Sequence, residues 1–149
     1  MTQTKWPPAN PGRFNLFVQH QFVQMMTEHI VDCSREFDGD LVEMLVLAVI
    51  GQAYLKAVLR EAGAATPPSV GRDGLSAARI SETTGLPRET VRRKLQNMEQ
   101  KRWVHQGDDR RWRLTVEDGT SLAEGAREDL FERGVGRAKR LARSLRPYI

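Results

Sequence analysis

The chain has 149 residues, 40% of them apolar, with a formal net charge of +4. That apolar share excludes global disorder, and the length suits one ordinary domain or a small reading head within a helical frame. The charge is uneven, because residues 1–74 hold six basic and eight acidic groups, residues 75–119 ten and seven, and residues 120–149 seven and four. The positive excess therefore lies in the second half, as expected of a surface that faces a polyanion.

In chain order, residues 1–12 carry Pro7, Pro8, Pro11 and Gly12 and are expected to form an extended arm, with no apolar stretch of the kind a signal peptide needs. The spacing of Phe14, Val18, Phe22, Met25, His29/Ile30, Cys33 and Phe37 predicts a long amphipathic helix from Arg13 to Phe37. Asp38-Gly39-Asp40 makes a turn, and Asp40 with Glu43 has capping-box spacing for a second helix, Leu41 to Glu61, that is apolar nearly all round in its first half. Residues 13–61 thus read as N-terminal helices forming a frame for dimerisation. The most apolar run, Leu41 to Ile50, is interrupted by Glu43 and is short against the roughly 20 apolar residues a bilayer requires, so a cytoplasmic protein without membrane association is expected.

Residues 62–74, rich in proline and glycine, read as a loop. In the next segment, 75–119, Ser76 can cap a short helix with Ala77, Ile80 and Thr84 inward, and Gly85 sits where a tight turn needs a left-handed residue. Pro87 suits the start of a second helix, whose buried stripe is Val91, Leu95 and Met98. Projection at 100° per residue places Glu89, Arg93 and Gln96 opposite that stripe, flanked by Arg92 and Asn97, with Arg88 and Thr90 in the first turn. These types match major-groove chemistry: arginine binds guanine bidentately, glutamate accepts from a cytosine amino group, and threonine meets a polar edge or a thymine methyl. A mixed-charge surface helix would explain the charges alone, but not their place between a Gly-Leu-Pro turn and a basic hairpin.

That hairpin has strands near Trp103–Gln106 and Arg111–Thr115 and a Gly107-Asp108-Asp109-Arg110 tip. Alternation puts Trp112 and Leu114 on one face and Arg111, Arg113 and Thr115 on the other. Arg110 and Arg111 can reach a minor groove or the flanking phosphates, while Trp103, Val104 and Trp112 anchor the wing. The candidate DNA-binding residues are therefore Arg88, Glu89, Thr90, Arg92, Arg93, Gln96, Asn97, Arg110, Arg111 and Arg113. In residues 120–149, Ser121 and Glu124 open a C-terminal helix running towards Arg146, with a kink or break expected at Gly134 and Gly136. Its basic last part, Arg133 to Arg146, is either a solvated face or a further phosphate contact.

The fold expected is mainly α with a small β-hairpin wing, a winged helix-turn-helix flanked by N- and C-terminal helices. GLPRETVRRKLQNMEQKRWV (Gly85–Val104) and DDRRWRLT (Asp108–Thr115) resemble the reading head of bacterial winged regulators, most of all the MarR-type family, and the motif is shared with GntR-type regulators. The resemblance implies double-stranded DNA as partner, a homodimer built by the terminal helices, and, as in many members, a small-molecule effector. The alternative is a winged domain serving as a protein-interaction module in a chromosome-organising or other larger complex.

No catalytic motif accompanies these features: there is no phosphate-cradling glycine loop, nucleophile elbow or metalloprotease helix, and no cofactor is implied. His29, Asp32 and Cys33 share a helix face, but three such side chains without a second cluster more often mark packing than a metal site. The single cysteine excludes an intramolecular disulfide framework and fits a reducing compartment.

Overall fold

The computed structural model describes residues 11–63 and 74–148; residues 1–10 of the expected arm and 64–73 of the expected loop lie outside them, while Pro11 and Gly12 already belong to a helix and Ala62 ends one. The described residues form two compact units, one holding those up to Gly39 and from Glu128 onward and one those between Asp40 and Arg127.

The first unit pairs α1 (Pro11–Glu36) with α6 (Glu128–Leu145), which a 3₁₀ turn, Arg146–Tyr148, follows. The helices run antiparallel, since partners rise along α6 as they fall along α1. Arg133 binds Asp32 (2.8 and 2.9 Å) and Glu36 (3.0 Å), Arg137 binds Asp32, and Arg140 binds Glu28 (2.8 Å). This ladder explains why the expected apolar stripe of α1 is only partly inward. Its charged strip, Glu28, Asp32 and Glu36, is turned to the arginines of α6, so Cys33 and Phe37 are buried while Phe22 and Ile30 remain exposed. The ladder gives three cations of the basic C-terminal helix a further role, because Arg133, Arg137 and Arg140 pair with α1 carboxylates, Arg137 enclosed and Arg133 and Arg140 still partly solvated.

Asp32 is 8% exposed, and its carboxyl is lowered from 3.8 to about 2 by the Arg133 hydrogen bonds, against the opposing effect of burial and with help from Arg137. A folded-state value below the unfolded one means the unfolded chain binds the extra proton, so the stabilisation is complete above about pH 4 and is lost as pH falls towards 2. The contribution is about 2 kcal/mol. In denaturant unfolding at pH 5 and pH 2.5 (roughly the two sides of that window), Asp32→Asn is expected to flatten the acid loss relative to wild type; an equal loss in both proteins contradicts the assignment.

The expected break at Gly134 and Gly136 is not where the chain breaks. A short α5 (Leu122–Gly125) ends at Ala126, and α6 then runs unbroken through both glycines. Gly134 serves close packing instead: a Cβ there would lie 3.2 Å from Cε1 of His29.

The second unit is a winged helix-turn-helix. Its strut, α2 (Leu41–Ala62), packs its first half against α3 (Ala77–Thr84), α4 (Arg88–Gln100) and the wing, burying Val46, Val49 and Ile50. Asp40 caps α2 by accepting the Glu43 N–H (2.9 Å), but the Glu43 side chain does not complete the box. It is buried and paired with Lys101, while Asp40 pairs with Lys94. The helix as a whole is long and apolar enough to cross a membrane by length and composition, so the length argument from Leu41–Ile50 does not extend to it. Its packing is that of a core helix in the first half, whereas Leu55, Val58 and Leu59 in the second half are exposed.

The wing pairs β1 (Val104–Gln106) with β2 (Trp112–Leu114) in antiparallel register, Val104 opposite Leu114 and Gln106 opposite Trp112. Leu75 joins the edge of this hairpin by an isolated two-bond bridge to Trp112 (3.0 and 2.8 Å). A second hairpin that the pattern reading missed follows, β3 (Val116–Glu117) with β4 (Thr120–Ser121). Asp118 and Gly119 both have positive φ, as a two-residue hairpin turn of this twist requires.

Candidate nucleic-acid interface

The interface begins at Gly85. Its φ of +73° ends α3 in the left-handed region, where a Cβ is strained, and its N–H is bonded to the Ser81 carbonyl. The Ser81 hydroxyl donates to the Leu86 carbonyl (2.5 Å), and Thr84 Oγ1 accepts from the Leu86 N–H (3.3 Å), so the turn is fixed from both sides. Pro87 is the N-cap of α4 rather than its first helical residue, and α4 starts at Arg88. Val91, Leu95 and Met98 are each fully buried, which fixes the rotation of α4 about its axis. Arg88, Glu89, Arg92, Arg93, Gln96 and Asn97 are consequently exposed together, whereas Thr90 is half-buried at the edge of the face.

These side chains are not equally available. Arg92 donates to both Glu89 oxygens, and these bonds hold the Glu89 carboxyl below its ordinary range. Arg88 and Arg93 have no ion-pair partner among the described residues, so theirs are the α4 guanidinium groups open to an external acceptor. Two lysines that the pattern reading did not select hold α4 to α2: Lys94 on Asp40 and Lys101 on Glu43. The only local hint was Glu43 itself, a lone acid in an apolar run.

On the wing, Arg110 and Arg111 are exposed near the tip, and Arg111 Nη1 donates to the Gly74 carbonyl (3.4 Å). Arg113 is placed differently from the other candidates: its guanidinium is bidentate on Asp109 and its side chain only 15% exposed. Trp103 and Trp112 are buried, so neither ring is offered to a base. Lys101 Nζ and Arg127 Cζ lie 4.3 and 3.9 Å from the centre of the Trp103 ring, cation–π contacts that tie the end of α4 and the segment after α5 to the base of the wing.

Elsewhere, the Asp32 oxygens are engaged by Arg133 and Arg137, and among the described residues no cluster of three His, Cys, Asp or Glu side chains is placed to hold a metal ion. Cys33 is 2% exposed, and burial pushes its thiol up, the opposite of an activated thiolate.

Residues 69–108 match the IclR helix-turn-helix domain. The match runs through α3, α4 and β1 to the wing tip, and it is to this domain rather than to a MarR-type one. No curated protein and no solved structure matches the chain. The chain thus carries a winged helix-turn-helix of the DNA-binding kind found in transcriptional regulators, and duplex DNA is the partner of that domain.

Proposed function

We propose that this protein is a homodimeric, sequence-specific transcriptional regulator that lays α4 in the major groove and the wing beside it. The observation that carries the reading is the α4 face. The buried stripe turns Arg88, Arg93, Gln96 and Asn97 outward together on a helix whose N-terminal end follows a rigid left-handed turn. Glu89 with Arg92 forms a preset pair on the same face, and Arg110 and Arg111 extend the cationic surface onto the wing.

Dimerisation is supported by α1. Leu16, Val23 and Ile30 recur every seven residues and are 66%, 58% and 42% exposed, with Met26 at 38% between them. Such a seven-residue repeat of exposed apolar side chains, uncovered among the described residues, is the kind of face that packs against a helix of a second subunit. Helical segments on both sides of the reading head, with the wing DDRRWRLT, give the arrangement that resembles MarR-type regulators. A two-fold dimer favours a pseudo-palindromic operator with half-sites about 10 bp apart or a multiple of that.

A mobility shift with random-sequence duplex DNA at low and moderate salt tests the reading. Binding at low salt that weakens steeply with added salt is expected, because each phosphate neutralised releases counterions. No binding at low salt overturns the reading and leaves the winged domain as a protein-interaction module.

A further inference from the structure

The tip of the wing is a five-residue loop, 107–111, closed by bonds from the Gly107 N–H to the Arg111 carbonyl and from the Arg110 N–H to the Gly107 carbonyl, each 2.9 Å. Arg110 stands in it at a φ of +61°, a region that non-glycine residues seldom occupy unless the surroundings hold them there. The surroundings here are explicit. The Arg110 carbonyl accepts from Gln106 Nε2 (3.1 Å), and Asp109 Oδ1 accepts the Arg111 N–H (3.0 Å), which fixes the chain on both sides of Arg110.

Asp109 is in turn held by Arg113, through Nη1 to Oδ1 at 2.9 Å and Nη2 to Oδ2 at 2.7 Å. Two glycines lie close against the guanidinium, so that a side chain at either would have to displace it or its neighbours. A Cβ on Gly107 would lie 2.6 Å from Arg113 Nη1, and one on Gly74 would lie 2.9 Å from Arg113 Cζ and 2.7 Å from Arg111 Cβ. Gly74 is itself fixed by its neighbour Leu75, which is bridged to Trp112 on β2. Arginine, aspartate and two glycines thus form one unit behind an exposed arginine at the tip.

We infer that Arg113 and Asp109 are positioning residues for DNA binding: they form a clamp that holds Arg110 at the wing tip in its strained, outward-presenting conformation. The inference rests on the DNA-binding reading above. It assigns Arg113, which composition and alternation group with the DNA contacts, to the support of Arg110 instead. It also gives an acidic residue on a polyanion-facing loop a positive role in affinity.

The sign of one substitution separates this from plain electrostatics. Removing the Asp109 charge reduces repulsion of phosphate, so charge alone predicts tighter binding for Asp109→Asn. The clamp predicts weaker binding. With the full chain and a mixed-sequence duplex in fluorescence anisotropy, Asp109→Asn and Arg113→Met are each expected to weaken binding about fivefold or more, as Arg110→Ala does. Either change combined with Arg110→Ala should add nothing beyond Arg110→Ala alone, since both act through that side chain. Gly74→Ala keeps every charge yet crowds the guanidinium, and it should weaken binding in the same direction. Melting curves matching wild type show that the helices remain folded in these variants.

Unchanged or tighter binding by Asp109→Asn overturns the clamp, as does a loss for Arg113→Met that adds fully to that of Arg110→Ala. If wild type itself fails to bind the duplex, the DNA-binding reading falls, a result distinct from either of these.

Discussion

Replacing Arg93 by alanine is expected to lower affinity for the protein's own duplex site by about 1–3 kcal/mol while affinity for random duplex falls far less. The expectation follows from where the fold puts Arg93. It lies opposite the fully buried stripe of Val91, Leu95 and Met98, so its stem leaves α4 away from the core. Its neighbour Arg92 is spent on Glu89, whereas Arg93 keeps all its donors for an external acceptor among the described residues. In the proposed docking mode Arg93 stands in the middle of the groove-facing surface, where a guanidinium can read a base edge bidentately, and its removal then costs most where the correct base stands. Competition binding with the selected site against random DNA, repeated across salt concentrations, checks this. An equal loss for both duplexes, with a salt slope reduced by about one, would make Arg93 a phosphate contact.

The second large effect concerns the pair of reading heads. Glutamates in place of Val23 and Ile30 together should convert the proposed dimer to a folded monomer. Both positions lie on the exposed seven-residue seam of α1, away from the Glu28, Asp32 and Glu36 strip that binds α6, so helix pairing within the chain is left intact. Losing the partner removes the tethering of the second half-site, and affinity for a two-half-site operator should fall about 10²–10⁴-fold while binding to a single half-site hardly changes. Light scattering behind size exclusion, with circular dichroism as the folding control, checks the assembly. A variant that stays dimeric places the interface elsewhere.

How much of this was legible in the sequence depends on the range of the interactions. The turn at Gly85, the α4 stripe and the Val104–Leu114 hairpin are set by neighbours within a few residues, and each follows from spacing and residue type. Features written by distant partners were not legible. The Asp32–Arg133 pair spans 101 positions and rotates the charged strip of α1 towards α6, which left Phe22 and Ile30 outside a stripe that periodicity alone had closed. Lys94 and Lys101 carry no local signal of their partners, because Asp40 and Glu43 lie 54 and 58 positions away in the chain. Arg113 shows the same limit on the wing. Alternation places it on a face, but only the approach of Gly74, from far back in the chain, shows that its guanidinium is enclosed.

Gly134 and Gly136 misled for a related reason. Glycine lowers helix propensity by about 1 kcal/mol, yet Gly134 admits the His29 ring, and helix packing outweighs propensity there, whereas Gly136 has open space around it. The Asp118-Gly119 hairpin, by contrast, had a clear local signal. The winged helix-turn-helix itself was readable, whereas the MarR-type resemblance was finer than the reading head can carry, since the matching domain there is that of the IclR helix-turn-helix.

The central claim is that two α4 helices, related by a two-fold axis, read adjacent major grooves. In-vitro selection of bound sequences from a random duplex library with the full chain tests it most directly. The expected product is an inverted repeat with half-sites separated by about 10 bp or a multiple of it. Recovery of no enriched sequence, or of a single unpaired motif, would contradict it.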